Sequence, residues 1–278
     1  MESLISFDGM SDVMNNLIDK LSNGIGWIAT HETPMRTAVD TYIQDIQNSN
    51  LDPVTKAALI SNARKTIKEY RNQCKITTIA GQNMLPTAKP EQVDDDWLAQ
   101  FMDKARLVSN EQFQILWGNI LAEECNNPNS IPKALLHIME QMDSNMAESF
   151  MNVAAVSVWC EDRGKKEWTP IITGGTVDDY YQNVGICYDD LLELQSVGLI
   201  QTHFGLDEVS FYHECDETPI VVHYHDEEYT ILNNRDYFSV GNVVYTNAGM
   251  ALCQAVSPQK IDRFLSDQCI PLWDKDQE

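Results

Sequence analysis

Ser109-Asn110-Glu111-Gln112-Phe113-Gln114-Ile115-Leu116-Trp117-Gly118-Asn119-Ile120-Leu121-Ala122-Glu123-Glu124 is the stretch on which the reading of the fold turns. Ser109 and Gln112 stand at the spacing at which a hydroxyl and a side-chain amide satisfy each other's backbone donors at a helix start. Behind them Phe113, Leu116, Trp117, Ile120 and Leu121 recur at helical spacing and predict a broad core stripe with Trp117 buried at its centre. Glu123 and Glu124 end the stripe before Asn126-Asn127-Pro128. The two acids do not make an acid–base pair, because adjacent helical residues point about 100° apart and no His or nucleophile is tied to them.

Helices also dominate the sequence before this stretch. Asp94, Asp95 and Asp96 open a helix carrying Trp97, Phe101, Ala105 and Val108, and the positive end of the helix dipole accounts for the three carboxylates without a metal. Pro86 and Pro90 frame a linker ahead of it. Asp52-Pro53 and Thr33-Pro34 each place a capping side chain before a proline suited to the first turn, so two more helices start there, the later one running to about Gly81. Residues 11–29 carry Val13, Met14, Leu17, Ile18, Leu21, Ile25 and Ile28 on an amphipathic pattern whose polar face is short of Lys and Arg, which favours packing on another helix over a membrane surface. The helix after Pro53 holds Arg64, Lys68, Arg71 and Lys75 at helical spacing. With Lys56 and Lys65 nearby and Glu69 the one acidic neighbour, they form a basic stripe, read either as a solvated or intramolecularly paired face or as a docking surface for an acidic partner or nucleic acid.

Downstream, Pro132 starts a helix with Leu135, Leu136, Ile138, Met139 and Met142, and Ser144 caps another through Phe150, Val153 and Val156 to Trp159. Gly164 and Gly174-Gly175 mark a loop-rich passage; no Gly-Lys-Ser/Thr follows them, so neither is a phosphate loop. From Ile186 the pattern changes to a helix (Tyr188, Leu191, Leu192, Leu194) ending at Gly198-Leu199-Ile200. Strands are expected at residues 209–213, 220–225, 229–232 and 243–245. A helix then starts at Asn247, and a last one, with Ile261, Phe264 and Leu265, starts at Ser257-Pro258. That is the order of a winged helix-turn-helix with a large wing. The expected fold is mainly α with a small β component, the helical N-terminal half preceding a winged-helix-like α+β C-terminal half. It divides into a helical arm at residues 1–85, a helical core at 94–160 and the winged-helix-like part at 161–278.

Charge narrows the function classes. The net charge of −23 is uneven: residues 151–278 hold 7 basic and 22 acidic side chains, and between Lys166 and Arg235 there are 14 acids and no Lys or Arg. Such a surface repels phosphate backbones and acidic membranes, so nucleic-acid binding through the C-terminal half is not expected. Residues 51–90, by contrast, hold 7 basic and 2 acidic side chains. No apolar run reaches the roughly 18 residues of a transmembrane span, and Met1-Glu2-Ser3-Leu4 has no signal-peptide character. The seven cysteines include no Cys-x-x-Cys and do not form a disulfide framework. A cytoplasmic protein with reduced cysteines is the expectation.

His213-x-Cys215 and His223-x-His225 raise the question of a zinc hairpin. Val209 and Phe211 share a strand face with His213, whereas Ile220, Val222 and Tyr224 point opposite to His223 and His225. If the apolar residues of both strands line one core face, the two ligand pairs fall on opposite faces. No metal or other cofactor is therefore expected, and no catalytic residue is assigned.

The segments Trp97-Leu-Ala-Gln-Phe101, Val108 through Trp117 to Glu124, and Leu135 to Phe150 resemble a bacterial and prophage domain of unknown function, similar in layout to the abortive-infection alpha proteins. The resemblance covers roughly residues 10–150 and reaches weakly to Gly198-Leu-Ile and Tyr245-Thr-Asn-Ala-Gly249. It implies a role in phage defence or prophage biology and carries over no catalytic residue. The sequence reading is thus a non-enzymatic interaction or regulatory protein with a protein partner or a second copy as its ligand. The alternatives are a nucleic-acid-binding winged-helix regulator and an enzyme whose carboxylates assemble only in three dimensions.

Overall fold

A computed structural model describes residues 12–29, 32–162, 164–174, 179–204, 209–212, 219–231 and 237–275. Of these, 61% are helical and 15% are in strands, with helices dominating the N-terminal half and small antiparallel sheets confined to the C-terminal half. The chain forms two compact units, Met1–Leu136 and His137–Glu278.

The first unit holds α1 (Asp12–Ile25), α2 (Glu32–Asn48), α3 (Pro53–Asn83), α4 (Asp95–Ala105) and α5 (Glu111–Asn126), and the unit boundary lies within α6 (Lys133–Gln141). The Asp52 side chain accepts from the amides of Val54 and Thr55 with Pro53 in the first turn, as the sequence predicts. Asp94 likewise caps α4 by accepting from the Trp97 amide. At α5 the cap differs from the sequence reading: Asn110, not Ser109, accepts from the Phe113 amide. Ser109 instead takes a hydrogen bond from Asn72 on α3.

The buried face of α5 is also rotated from the predicted one. Trp117, Ile120 and Leu121 are in the core, with Trp117 1% exposed, but Phe113 and Leu116 are only half-buried, while Gln114 and Gly118 are buried. Gln114 donates to Asn72 and to the Val108 carbonyl, so a polar side chain replaces an apolar one where α3 and α5 touch. Gly118 lets the two helices close up, since a Cβ there would fall 2.5 Å from Ile79 Cγ2. The aromatic centre stacks Trp97 on Phe101 and tilts Phe101 against Trp117, both with centroids 5.2 Å apart.

The second unit contains α7 (Ser144–Ala155), β1 (Ser157–Asp162), β2 (Lys165–Pro170), α8 (Asp179–Asn183), α9 (Tyr188–Ser196), β3 (Ile200–Thr202), β4 (Val209–Tyr212), β5 (Ile220–Tyr224), β6 (Glu227–Ile231), β7 (Tyr237–Gly241), β8 (Val243–Tyr245), α10 (Asn247–Ala255) and α11 (Ile270–Lys275). Among the described residues three antiparallel sheets form, in the orders β2-β1-β5-β6, β3-β8 and β4-β7. The helix expected to continue to Trp159 stops at Ala155, and β1 follows with Val158 and Cys160 buried and Trp159 half-exposed. The apolar spacing of Phe150, Val153, Val156 and Trp159 fits a helix, while Val156 to Cys160 also fits a strand; the pairing of β1 with β2 and β5 decides for the strand. The last helical segment starts at Phe264 with a π-helical turn, Leu265–Cys269, rather than at Ser257-Pro258. The helix–strand and strand–helix ends of the expected winged-helix order are present, with β3 paired to β8. The strands between them do not form one wing, because β5 and β6 join β1 and β2 while β4 pairs with β7.

Thr246 knits the β8–α10 junction. Its hydroxyl accepts from the Gly249 amide and donates to the Gly198 carbonyl at 2.6 Å, and Gly249 brings α10 against the Leu199 carbonyl, where any Cβ would collide with backbone.

Candidate functional site

α3 is 31 residues long, about 46 Å at the helical rise. Its buried residues are Asn72, Cys74, Ile76, Thr77 and Ala80, all in the C-terminal half. Among the described residues α2 packs against α3, and in the N-terminal half Ala57, Ala58, Ser61, Arg64 and Lys65 are exposed. Half-buried Leu59, Ile60, Ala63 and Ile67 follow one seam, on the side opposite Ala57, Ala58, Ser61 and Lys68.

The four residues of the predicted basic stripe lie along this helix, but the structure divides them. Arg64 and Lys68 are exposed; Arg71 and Lys75 are half-buried, farther along where α3 enters the packed part of the unit. Lys65 adds a third exposed cation, 3.7 Å from Glu69. Glu69, the acidic neighbour, is held chiefly by Arg106, whose guanidinium lies 2.9 Å from both Glu69 and Asp103. These hydrogen bonds, which Arg106 donates to Asp103, the larger cause, and to Glu69, raise its already high pKa. The acid nearest the stripe is thus taken up by a cation outside it. Among the described residues no ion pair reaches Arg64, Lys68 or Lys75. The helix is anchored in its C-terminal half, where the Asn72 amide donates to the Arg106 carbonyl at 2.8 Å and Gln73 donates to the Met102 carbonyl at 3.0 Å. A rod fixed in its C-terminal half, with exposed cations near its middle, is the result.

A cavity of about 300 Å³ lies elsewhere in the first unit, lined by Asp94, Trp97, Glu124, Asn129, Ile131 and Lys133. It brings two carboxylates and a lysine into one place, so it is where a distributed carboxylate site would be sought. Glu124 is 1% exposed and accepts from the amides of Asn129 and Ile131 at 2.7 and 2.9 Å. Burial raises its pKa, and the backbone hydrogen bonds act against that shift. Asp94 moves the other way: the Trp97 amide and the Lys133 ammonium, 3.0 Å distant, lower its pKa. Divergent carboxylate pKa values are a mark of acid–base sites. Here each carboxylate has a structural task that accounts for its environment. Glu124 closes the loop over residues 127–132, and Asp94 caps α4. Trp97 completes the wall by donating from Nε1 to the Ile131 carbonyl. Glu123 points elsewhere and accepts from the Asn127 side chain. The sequence signal for Glu124 was the acid placed directly ahead of the Asn126-Asn-Pro-Asn-Ser-Ile-Pro132 loop, whose amides need an acceptor.

Of the four candidate zinc ligands, His213 and Cys215 lie outside the described residues. The imidazole of His223 stacks on Trp159 with centroids 3.9 Å apart, and its Nδ1 lies 3.2 Å from Glu228. His225 sits beyond the end of β5 with a φ of 51°. The strand parity is as read from sequence, with Ile220, Val222 and Tyr224 buried and His223 on the opposite face. The expected hairpin between β4 and β5 does not form, since the two strands belong to different sheets. Among the described residues no three His, Cys, Asp or Glu side chains gather as metal ligands.

Among the described residues no helix is long and apolar enough to cross a membrane. No curated protein and no solved structure matches the chain. A family model described as "Protein of unknown function (DUF2806)" matches residues 61–268. This span begins on α3 just before Arg64, takes in the cavity and runs through both units, and it shows that the chain belongs to the DUF2806 family.

Proposed function

We propose that the protein is a non-enzymatic interaction module whose α3 helix docks an acidic protein surface through Arg64, Lys68, Arg71 and Lys75. The observation that carries this reading is the exposure of Arg64 and Lys68 near the middle of α3, a helix fixed in its C-terminal half, while the neighbouring Glu69 is committed to Arg106. A solvated helix face in so acidic a protein would gain by pairing its cations internally; this one directs them outward. The resemblance over residues 10–150 to the abortive-infection layout supports placing this docking role in a cytoplasmic phage-defence or prophage system. The second unit keeps the helix–strand and strand–helix ends of a winged helix, and we read it as a variant of that fold rather than a DNA reader, in keeping with its 14 acids and absent Lys and Arg between Lys166 and Arg235.

The test titrates a fluorescent Glu- and Asp-rich peptide and a DNA duplex of equal length against the protein at about 0.1 M salt and above, where charge contacts are progressively screened. The expected result is peptide binding that weakens with salt and is lost when Arg64, Lys68, Arg71 and Lys75 are all changed to Glu. Tighter binding of the duplex, with a steep negative salt slope, would replace the proposal with nucleic-acid recognition. Equal peptide binding by wild type and variant would reduce the stripe to a solvated helix face.

A further inference from the structure

We infer that the acidic partner of α3 is the exposed face of α9 in a second copy of this chain. The inference rests on the docking role proposed for α3 and names its ligand.

α9 buries Leu191 and Leu194, which fixes the opposite face outward. On that face Tyr188 is 45% and Leu192 39% exposed, one helical turn apart. The Tyr188 ring leans on Phe204 with centroids 5.4 Å apart, so this apolar patch is wider than the helix alone. Beside it Asp189 and Glu193 are exposed, also one turn apart, and α9 has no basic residue. Among the described residues neither acid holds an ion pair.

The exposed face of α3 has matching features. Arg64 and Lys68 repeat at the same one-turn interval as Asp189 and Glu193, so two helices laid side by side satisfy both ion pairs at once, in either direction. Ser61, about one turn before Arg64, is small and exposed and lets a neighbouring helix approach this face. Individual exposed ion pairs are weak, so the charges set the register and steer the encounter of the two copies. Both faces are solvent-exposed within one chain, which leaves them open to a second copy.

Sedimentation velocity over a concentration series at about 0.1 M salt tests this with four proteins: wild type, the α3 variant Arg64→Glu/Lys68→Glu, the α9 variant Asp189→Lys/Glu193→Lys, and the protein carrying all four changes. All four residues are exposed, and far-UV circular dichroism of each variant checks that it keeps the helical fold. The expected result is self-association of wild type, a loss of at least about ten-fold in affinity for each double variant as two attractions become two repulsions, and recovery in the quadruple variant. The two double variants, each monomeric alone, associate when mixed, because the native α3 of one meets the native α9 of the other. A wild type that stays monomeric, an α9 variant that associates like wild type, or a quadruple variant no tighter than its parents overturns the inference. The α3 double variant titrated with the acidic peptide separates the two readings. If it has lost peptide binding while the α9 changes are silent, the docking role stands without α9; if it still binds the peptide as wild type does, the docking role itself falls.

Discussion

Glu124 shows how much a single residue's meaning depends on its neighbours. In sequence it reads as a surface acid at a helix end beside Glu123; in the fold it is buried and gathers the amides of Asn129 and Ile131. A carboxylate can accept from both, whereas a carboxamide offers one oxygen. Its folded pKa is raised, chiefly by burial, above an unfolded value of about 4.3. The sign of the linkage follows: between the two values the folded state binds the proton more tightly, so this residue's contribution to stability is fully present below the unfolded pKa and falls as pH rises through the folded one. Urea titrations of wild type and Glu124→Gln across the acid range should therefore show the advantage of wild type shrinking as pH increases, then levelling off. A difference that is constant or grows with pH would mean that the hydrogen bonds of the ionised form, not its desolvation, control the site. Trp117, by contrast, was legible directly, because its stripe of large apolar neighbours leaves it no other place than the core.

At the scale of elements, the caps and long amphipathic helices were readable because their signals are local. Asp52-Pro53 starts α3 and Asp94 starts α4 through side chains that bond within three residues of themselves. β1 was not readable, because its identity is settled by its pairing on both sides, with the β2 that follows it and with β5 far along the chain: Trp168 and His223 both sit opposite Trp159. The rotated face of α5 has a similar cause. Gln114 counts as polar in any periodicity, yet Asn72 on α3 gives it a buried partner, and Gly118 contributes nothing apolar but sets the spacing of the two helices. Gly118→Ala tests that spacing. Alanine gains about 1 kcal/mol of helix propensity over glycine, while overpacking a tight contact costs about 1 to 3 kcal/mol. A Cβ 2.5 Å from Ile79 Cγ2 and 3.2 Å from the Ile76 carbonyl places this site at the costly end, so the clash outweighs the propensity and the variant should be less stable by about 1 to 2 kcal/mol. A urea midpoint at or above that of wild type would show that Ile79 turns aside freely and that α3 and α5 are not locked by this glycine.

For the whole molecule, the question is how a chain of net charge −23 associates with its own copy at all. Two fields compete, and they differ in range. The net charge repels a second copy over the full Debye length, which is about 30 Å at 0.01 M salt and about 10 Å at 0.1 M. The attraction proposed between Arg64 and Lys68 of one copy and Asp189 and Glu193 of another acts at contact distance and is screened later. Raising salt from 0.01 to 0.1 M therefore removes more of the repulsion than of the attraction, whereas raising it toward 1 M, where the Debye length is about 3 Å, weakens the contact pairs too. Self-association should accordingly pass through a maximum near 0.1 M. The α3 variant Arg64→Glu/Lys68→Glu has lost the attractive field and keeps only the repulsive one, so its residual association should rise steadily with salt and show no maximum. Dissociation constants from sedimentation equilibrium at 0.01, 0.1 and 1 M, as round orders of magnitude in ionic strength, distinguish the two shapes. A wild-type constant that changes in one direction only, parallel to that of the variant, would mean that Arg64 and Lys68 of α3 take no part in bringing two copies together.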